Sequence, residues 1–415
     1  MNTPSTPCAA SLTLFALLTV FALPACRDAG PDGPWLGEVT AVAVPAGIGS
    51  RFPHLAAGQN GPIVLSWLQE QPGGGFALQH ATWNDGSWGP PATVASGRDW
   101  FVNWADFPSV VPLGTTRWAA HWLQQKPGSV YSYDVRIAVS NDAGRSWSLP
   151  MTPHDDATPT EHGFVSLYDH GGEAHAVWLD GRHTVGGHDH AAGASGAMTL
   201  RSATIGRDGR RLGDDREIDA RVCDCCQTDA AITTDGPVVV YRDRGEHELR
   251  DIAIVRHVDG RWSSPAAVHA DGWKIDACPV NGPAVDARGR TVAVAWFTAP
   301  DRPRVRLAFS DDAGRSFAPP IEVASEGVAG RVDVVLLDDG RAVVSWLRSS
   351  QAGAQLLARP FTRDGAAGDV AVIAAAAVQR SSGFPQMVPA GDGLLFAWTD
   401  ATAPRGVRAA YARLR

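Results

Sequence analysis

The chain has 415 residues, and its 44 glycines, 29 prolines and 15 tryptophans stand against only 4 methionines. That balance favours strands and tight turns over helices. A net charge of −8 gives no basic footprint, so nucleic acid is excluded as the expected partner.

The first segment is read as a targeting signal. LTLFALLTVFALPAC, ending at Cys26, is an apolar run of signal-peptide length and is short for a membrane span. Leu23-Pro24-Ala25-Cys26 resembles a bacterial lipobox, although no Lys or Arg precedes the run. The expected organisation is a lipoprotein signal over 1–26 with Cys26 as the lipidated residue. A flexible tether follows over 27–35, then one folded unit over 36–415. The implied location is the cell envelope, on its periplasmic or extracellular side, with the lipid as the only membrane contact.

From residue 36 the chain repeats itself. A short apolar strand carrying an aromatic recurs as IVLSWLQ (Trp67), AAHWLQ (Trp122), AHAVWLDGR (Trp178), PVVVYRDR (Tyr241), VAVAWFT (Trp296), AVVSWLR (Trp346) and LLFAWTD (Trp398). The interval is roughly 50 to 63 residues. A strand opened by proline or a small residue precedes each one, as in FPHLAAG, FPSVVPL and FPQMVPA; two further strands follow. Four short strands per repeat predict an all-β propeller of seven four-stranded blades, with six as the alternative count. The last repeat supplies only three strands, and VTAVAVP (39–45) has no partner of its own. It is expected to close the ring by completing the last blade.

Two turns are more specific. SNDAGRSW (Ser140 to Trp147) and SDDAGRSF (Ser310 to Phe317) fit S-x-D-x-G-x-x-W/F, with weaker relics in NDGSW and in DGRW (Asp259 to Trp262). In this the chain resembles the sialidase-like (BNR, Asp-box) propellers over essentially its whole length after the leader. The boxes themselves read as turn chemistry, since Asp accepts backbone N–H bonds and Gly permits the left-handed angle. The resemblance puts them on the face opposite the ligand pocket.

The other face collects the reactive residue types. Connections from the fourth strand of one blade to the first of the next hold Arg51, Asp106, Glu161, the clustered cysteines and Arg331. Connections from second to third strands hold Asp180, Arg182 and Arg242 to Arg244. Arginines suit an anionic ligand because guanidinium pairs bidentately with carboxylate. The sialidase resemblance implies a glycoside hydrolase of acidic sugars, with Asp106 as acid/base and Tyr241 paired with Glu161 as nucleophile. Arg51, Arg182, Arg242 and Arg331 would then bind the sugar carboxylate. The alternatives are a non-catalytic propeller that binds a glycan, a protein or another small anion, and a metal-handling protein.

RVCDCCQTDA places Cys223, Cys225 and Cys226 within four positions, and Cys278 follows in WKIDACPVNGP. The two connections are neighbours on one face, so the four thiols are expected to meet. An even count in an oxidising compartment points to disulfides. A bridge from Cys223 to Cys278 would contribute ~4 kcal/mol in the loop-entropy model. Adjacent Cys225 and Cys226 cannot form an unstrained disulfide, which leaves room for other roles. Those are a Cu(I) or Zn site, to which His183, His188 and His190 could add ligands, or a reactive thiol. Without a metal at the cysteines no cofactor is expected. Proven sialidases lack this cysteine pattern.

Overall fold

In the computed structural model, residues 34–58, 61–184, 196–351, 353–402 and 404–415 are described. They form a seven-bladed β-propeller with antiparallel strands in every blade. The leader 1–26 with Cys26, and the His188-Asp189-His190 stretch, lie outside the described residues.

Each aromatic strand of the repeat is the second strand of its blade. Trp67, Trp178 and Trp296 are wholly buried, and Tyr241 occupies the same place in Gly236–Arg242 of blade 4. These large side chains pack against the strands of the preceding blade in the ring and fill the wedge between blades. The ring closes as the sequence suggested. Thr40–Val42 pairs with Gly406–Arg413, setting Thr40 against Tyr411. One blade departs from the pattern. Blade 2 keeps three strands, Ser109–Pro112, Trp118–Gln125 and Tyr133–Ser140, and the fourth position is reduced to an Ile137–Met151 bridge. The segment there, LPMTPHDDATPT, is rich in proline, which cannot donate to a ladder.

The blades are stitched together near the axis by side chains of the innermost strands. Asp229 accepts the Val285 N–H (2.8 Å), Asp286 accepts that of Leu336 (2.7 Å), and Asp333 accepts that of Met387 (2.6 Å). Each reaches from one blade to the next, and the other oxygen of each carboxyl takes the N–H of its own following residue. Burial raises these carboxyls, Asp229 to about 7, Asp286 to about 6 and Asp333 to about 8. They line an axial cavity of ≈ 320 Å³ together with His54 and His121.

The two Asp-box turns are superimposable in their bonding. Asp142 and Asp312 each take a serine hydroxyl at 2.8 Å and the N–H of Ser146 or Ser316 at 2.8 Å. Gly144 and Gly314 sit at φ 77°, and a Cβ on Gly144 would come within 2.7 Å of His80 and Trp118. The motif is therefore a turn that lets blades pack closely, as its residue types implied.

Candidate functional site

The four arginines expected to face an anion each have their own partners. Arg51 pairs with exposed Glu70 at 2.8 Å and lies over Phe76. Arg182 forks onto Asp180 with two 2.8 Å bonds and reaches Asp215 at 2.9 Å. Arg242 is buried and spends its donors on the carbonyls of Asn281, Arg250 and Phe297, with Trp273 against its face. Arg331 bonds the carbonyls of Val378, Gln379 and Gly383 and stacks on Trp104. A guanidinium has five N–H donors and no acceptor, so most of the recognition capacity of Arg182, Arg242 and Arg331 is used within the protein.

The expected catalytic residues separate into two places. Tyr241 is 1% exposed and donates its hydroxyl to Asp219 at 2.6 Å; burial, then the Asp219 charge, push the phenol well above its ordinary range. Glu161 lies instead beside Tyr133 and Asp106, whose ionisation it opposes. Asp106 accepts the Tyr133 hydroxyl (3.1 Å) and the Phe164 N–H (2.7 Å), and burial raises it to about 7. The sequence reading missed Tyr133. The signal was the YSYD run just ahead of a third strand, but only the fold brings it to Asp106.

The connection that carries Asp106, residues 98–108, touches both blade 4 and the segment that leads into blade 7. Ala105 of that connection accepts from Gln227 of blade 4 (2.7 Å), while Trp104 and Phe107 stack on Phe384, which leads into blade 7. Asp106 itself is pressed against Gly163, where a Cβ would sit 1.9 Å from the carboxylate. Ala105, Asp106, Phe107, Gln227 and Phe384 all border the axial cavity.

The thiols do converge. The sulfurs of Cys223, Cys225 and Cys226 all lie within 4.8 Å of one another, and Cys223 donates to Cys226 at 2.9 Å. Cys278, from the connection into blade 5, is hydrogen-bonded to Cys225. No two of these four cysteines stand at disulfide distance among the described residues. The close contacts of Cys225 are shared among three other sulfurs rather than directed at one. Cys223 and Cys226 are buried, whereas Cys225 and Cys278 are partly exposed, so the cluster has an inner and an outer half.

The electrostatics of the cluster favour one thiolate. Burial alone would raise Cys226. Hydrogen bonds from Cys223 and Cys225, the Arg242 charge and the Asn281 N–H outweigh it and hold Cys226 well below the ordinary thiol range. Burial pushes Cys223 up to about 12, and the hydrogen bonds with Cys223, Cys226 and Cys278 raise Cys225. Around the thiols runs an ion-pair scaffold. Arg244 grips Asp224, within the cysteine turn, at 2.9 Å and Glu248 at 3.0 Å; Arg250 takes Glu248 at 2.6 Å. This explains the charge-dense YRDRGEHELRD that follows the cysteines. Gly282 in CPVNGP is required by close approach, since a Cβ there would fall 2.2 Å from the Gln227 carbonyl. Of the expected histidine ligands, His183 lies away from the sulfurs, exposed beside Glu217 at 3.8 Å.

No sequence-family profile and no curated protein matches the chain. Solved structures do. A protein of unknown function from Dyadobacter fermentans is similar at TM-score 0.54 and 15% identity, covering 92% of this chain and 100% of its own. The NanB sialidase of Streptococcus pneumoniae (K499G mutant) is similar at TM-score 0.46 and 12% identity, over 90% of this chain and 70% of its own. A puromycin-hydrolyzing peptidase of Mycobacterium tuberculosis reaches 0.49 at 13% identity, over 89% and 55%. At such identities the likeness to the first of these shows a common fold, and function has to be argued from the site.

Proposed function

We propose that this protein is an exported, lipid-anchored propeller whose functional centre is a soft-metal site formed by Cys223, Cys225, Cys226 and Cys278. The observation that carries the reading is the convergence of three sulfurs within 4.8 Å, with Cys278 bonded to one of them. Thiolates select Cu(I) and Zn over hard cations. Cu(I) is favoured because C-x-C-C departs from the usual C-x₂₋₄-C zinc spacing. Tetrahedral sulfurs around a metal at about 2.3 Å stand about 3.8 Å apart, so loading would open the 2.9 Å Cys223–Cys226 contact modestly. Arg242, Arg244 and Arg250 would hold the loops and offset the thiolate charge. The lipid anchor at Cys26 would keep the site at the envelope surface.

The test is anaerobic titration of the reduced protein with Cu(I) against a chromophoric Cu(I) chelator, repeated with Zn(II). One equivalent of Cu(I) withheld from the chelator, and lost in the Cys225→Ser/Cys278→Ser double variant, is expected. Chelator colour developing as if no protein were present would reject the site.

Sialidase-type hydrolysis of an acidic sugar is the second reading, and one observation favours it: Asp106 is held at about 7, suited to an acid/base, and borders the axial cavity. Against it stand the engaged arginines and the distance in the fold between Tyr241 and Glu161. Incubation with a fluorogenic sialoside is expected to give no turnover; turnover abolished by Asp106→Asn would reinstate it. Glycan binding without catalysis is taken up next, at a different place on the molecule.

A further inference from the structure

We propose that the cleft between blades 3 and 4, toward the Asp-box ends of their strands and away from the thiols, is a binding site for a neutral hexopyranose sugar. The cleft has a volume of ≈ 400 Å³ and lies between Tyr168, His175 and Thr204 of blade 3 and His257 and Trp262 of blade 4.

Its far wall is made by an irregularity in the outer strand of blade 3. Ser202 pairs with Arg216 and Thr204 with Leu212, so two steps along Met198–Ile205 are matched by four along Arg211–Val222. The surplus residues bulge out at Gly213, which sits at φ 74°, and Leu212, Gly213, Asp214 and Arg216 all border the cleft. Bulges re-aim side chains and are over-represented beside functional sites. Without this one, the outer strand would continue the ladder and leave less room.

The second observation is a hydroxyl turned to the cleft. Tyr168 is 5% exposed as a residue, but its hydroxyl is not sealed in the core: it borders the cleft, and no described side chain or backbone group holds it. The hydroxyls of Tyr241 and Tyr133, by contrast, are held inside the protein by Asp219 and Asp106. The groups around Tyr168 are fixed: Trp262 donates to Ser202 (3.2 Å), and the two nitrogens of His175 are engaged by the His170 carbonyl (3.2 Å) and Thr204 (3.3 Å). The Tyr168 hydroxyl is thus the group left for a ligand to complete.

The chemistry of the walls selects the ligand. Two imidazoles, a phenol and an indole present flat apolar surface, with Tyr168 stacked on His175 (5.4 Å between ring centres) and Trp262 against His257 (5.0 Å). Burial lowers His175 to about 4 and also lowers His257, so the imidazoles are neutral at neutral pH. The charges at the rim, Asp214 and Arg216, are of opposite sign. A sugar ring matches such a site: its C–H face lies on aromatic surface, and its hydroxyls bond the phenol and the serine and threonine oxygens. A metal ion is a poorer fit because His175 has both nitrogens committed. DGRW thereby acquires a meaning: Trp262 occupies the aromatic place of a vestigial Asp-box, but it borders a cleft.

The experiment is saturation-transfer NMR of the full-length protein with methyl β-D-galactopyranoside and methyl N-acetyl-β-D-glucosaminide, irradiating aromatic protons. Transfer to the ring protons of at least one sugar is expected in wild type and in Cys225→Ser. It should be abolished in Trp262→Ala, and affinity should fall at least fivefold in Tyr168→Phe, which removes only the hydroxyl. No transfer to either sugar, or transfer unchanged in Tyr168→Phe, would overturn the proposal. Sharpening of His257 resonances by added Zn(II), without any sugar effect, would assign the cleft to a metal instead.

Discussion

Two junctions between blades on the same face carry buried polar clusters, and they differ in kind. At the junction of blades 2 and 3, Asp106, Tyr133 and the Phe164 N–H satisfy one another with oxygen and nitrogen bonds. At the junction of blades 4 and 5, four sulfurs meet. A thiol is a weak donor and a weak acceptor, so mutual S–H contacts add little to stability. The first cluster accounts for itself as part of the fold. The second is held in place by an ion-pair scaffold larger than such weak bonds warrant, which is what a preorganised ligand shell requires.

The largest effect expected at the blade 4–5 junction comes from its support. Arg242→Met strands the carbonyls of Asn281, Arg250 and Phe297 and removes the charge beside Cys226. It should cost about 3–5 kcal/mol in urea unfolding. A loss under 1 kcal/mol would mean that the scaffold is not what holds the thiols.

Next comes the metal itself. With Cu(I) at a hundred times its dissociation constant, the protein should gain about 2.7 kcal/mol of stability over the metal-free form. Cys225→Ser, at the partly exposed thiol whose pKa is raised, should abolish the gain while leaving metal-free stability within about 1 kcal/mol, since only weak S–H contacts are lost. Thermal melts with and without Cu(I) read both quantities.

The blade 2–3 junction should respond to pH rather than to metal. Asp106 has its carboxyl raised in the fold, so its contribution is fully present below about pH 4 and is lost as pH rises through about 7. Asp106→Asn can still accept from Phe164 and can donate to the Tyr133 oxygen. Wild type is therefore expected to lose on the order of 2 kcal/mol relative to the variant between pH 4 and 8. A difference that stays flat over that range would show that Asp106 remains ionised in the fold. The smallest effect is outside both junctions: Arg51→Ala breaks an ion pair with exposed Glu70 and should change stability by less than about 0.5 kcal/mol.

The difference between the junctions also marks how far the sequence could be read. The blades were legible because one aromatic per repeat must fill each wedge, and the closure was legible because 39–45 had no other partner. The meeting of the cysteines followed from topology alone, since consecutive connections at one face are neighbours in space. What each polar group bonds was not legible. Arg242 and Arg331 look in sequence like anion binders, and it is tertiary structure that turns them onto carbonyls. Tyr241 looked like a candidate nucleophile, yet it fills the wedge its tryptophan counterparts fill. The bulge at Leu212 to Arg216 is equally hidden, because RLGDDRE has the alternation of neither a strand nor a loop.

The most direct test of the central claim is native mass spectrometry of the mature protein, reduced and exposed to Cu(I) without oxygen, then alkylated. The account predicts one copper per chain, protection of all four cysteines while copper is bound, and alkylation of the outer pair, Cys225 and Cys278, once it is removed. A protein that takes up no copper and whose cysteines react at the same rate with and without it would contradict the account.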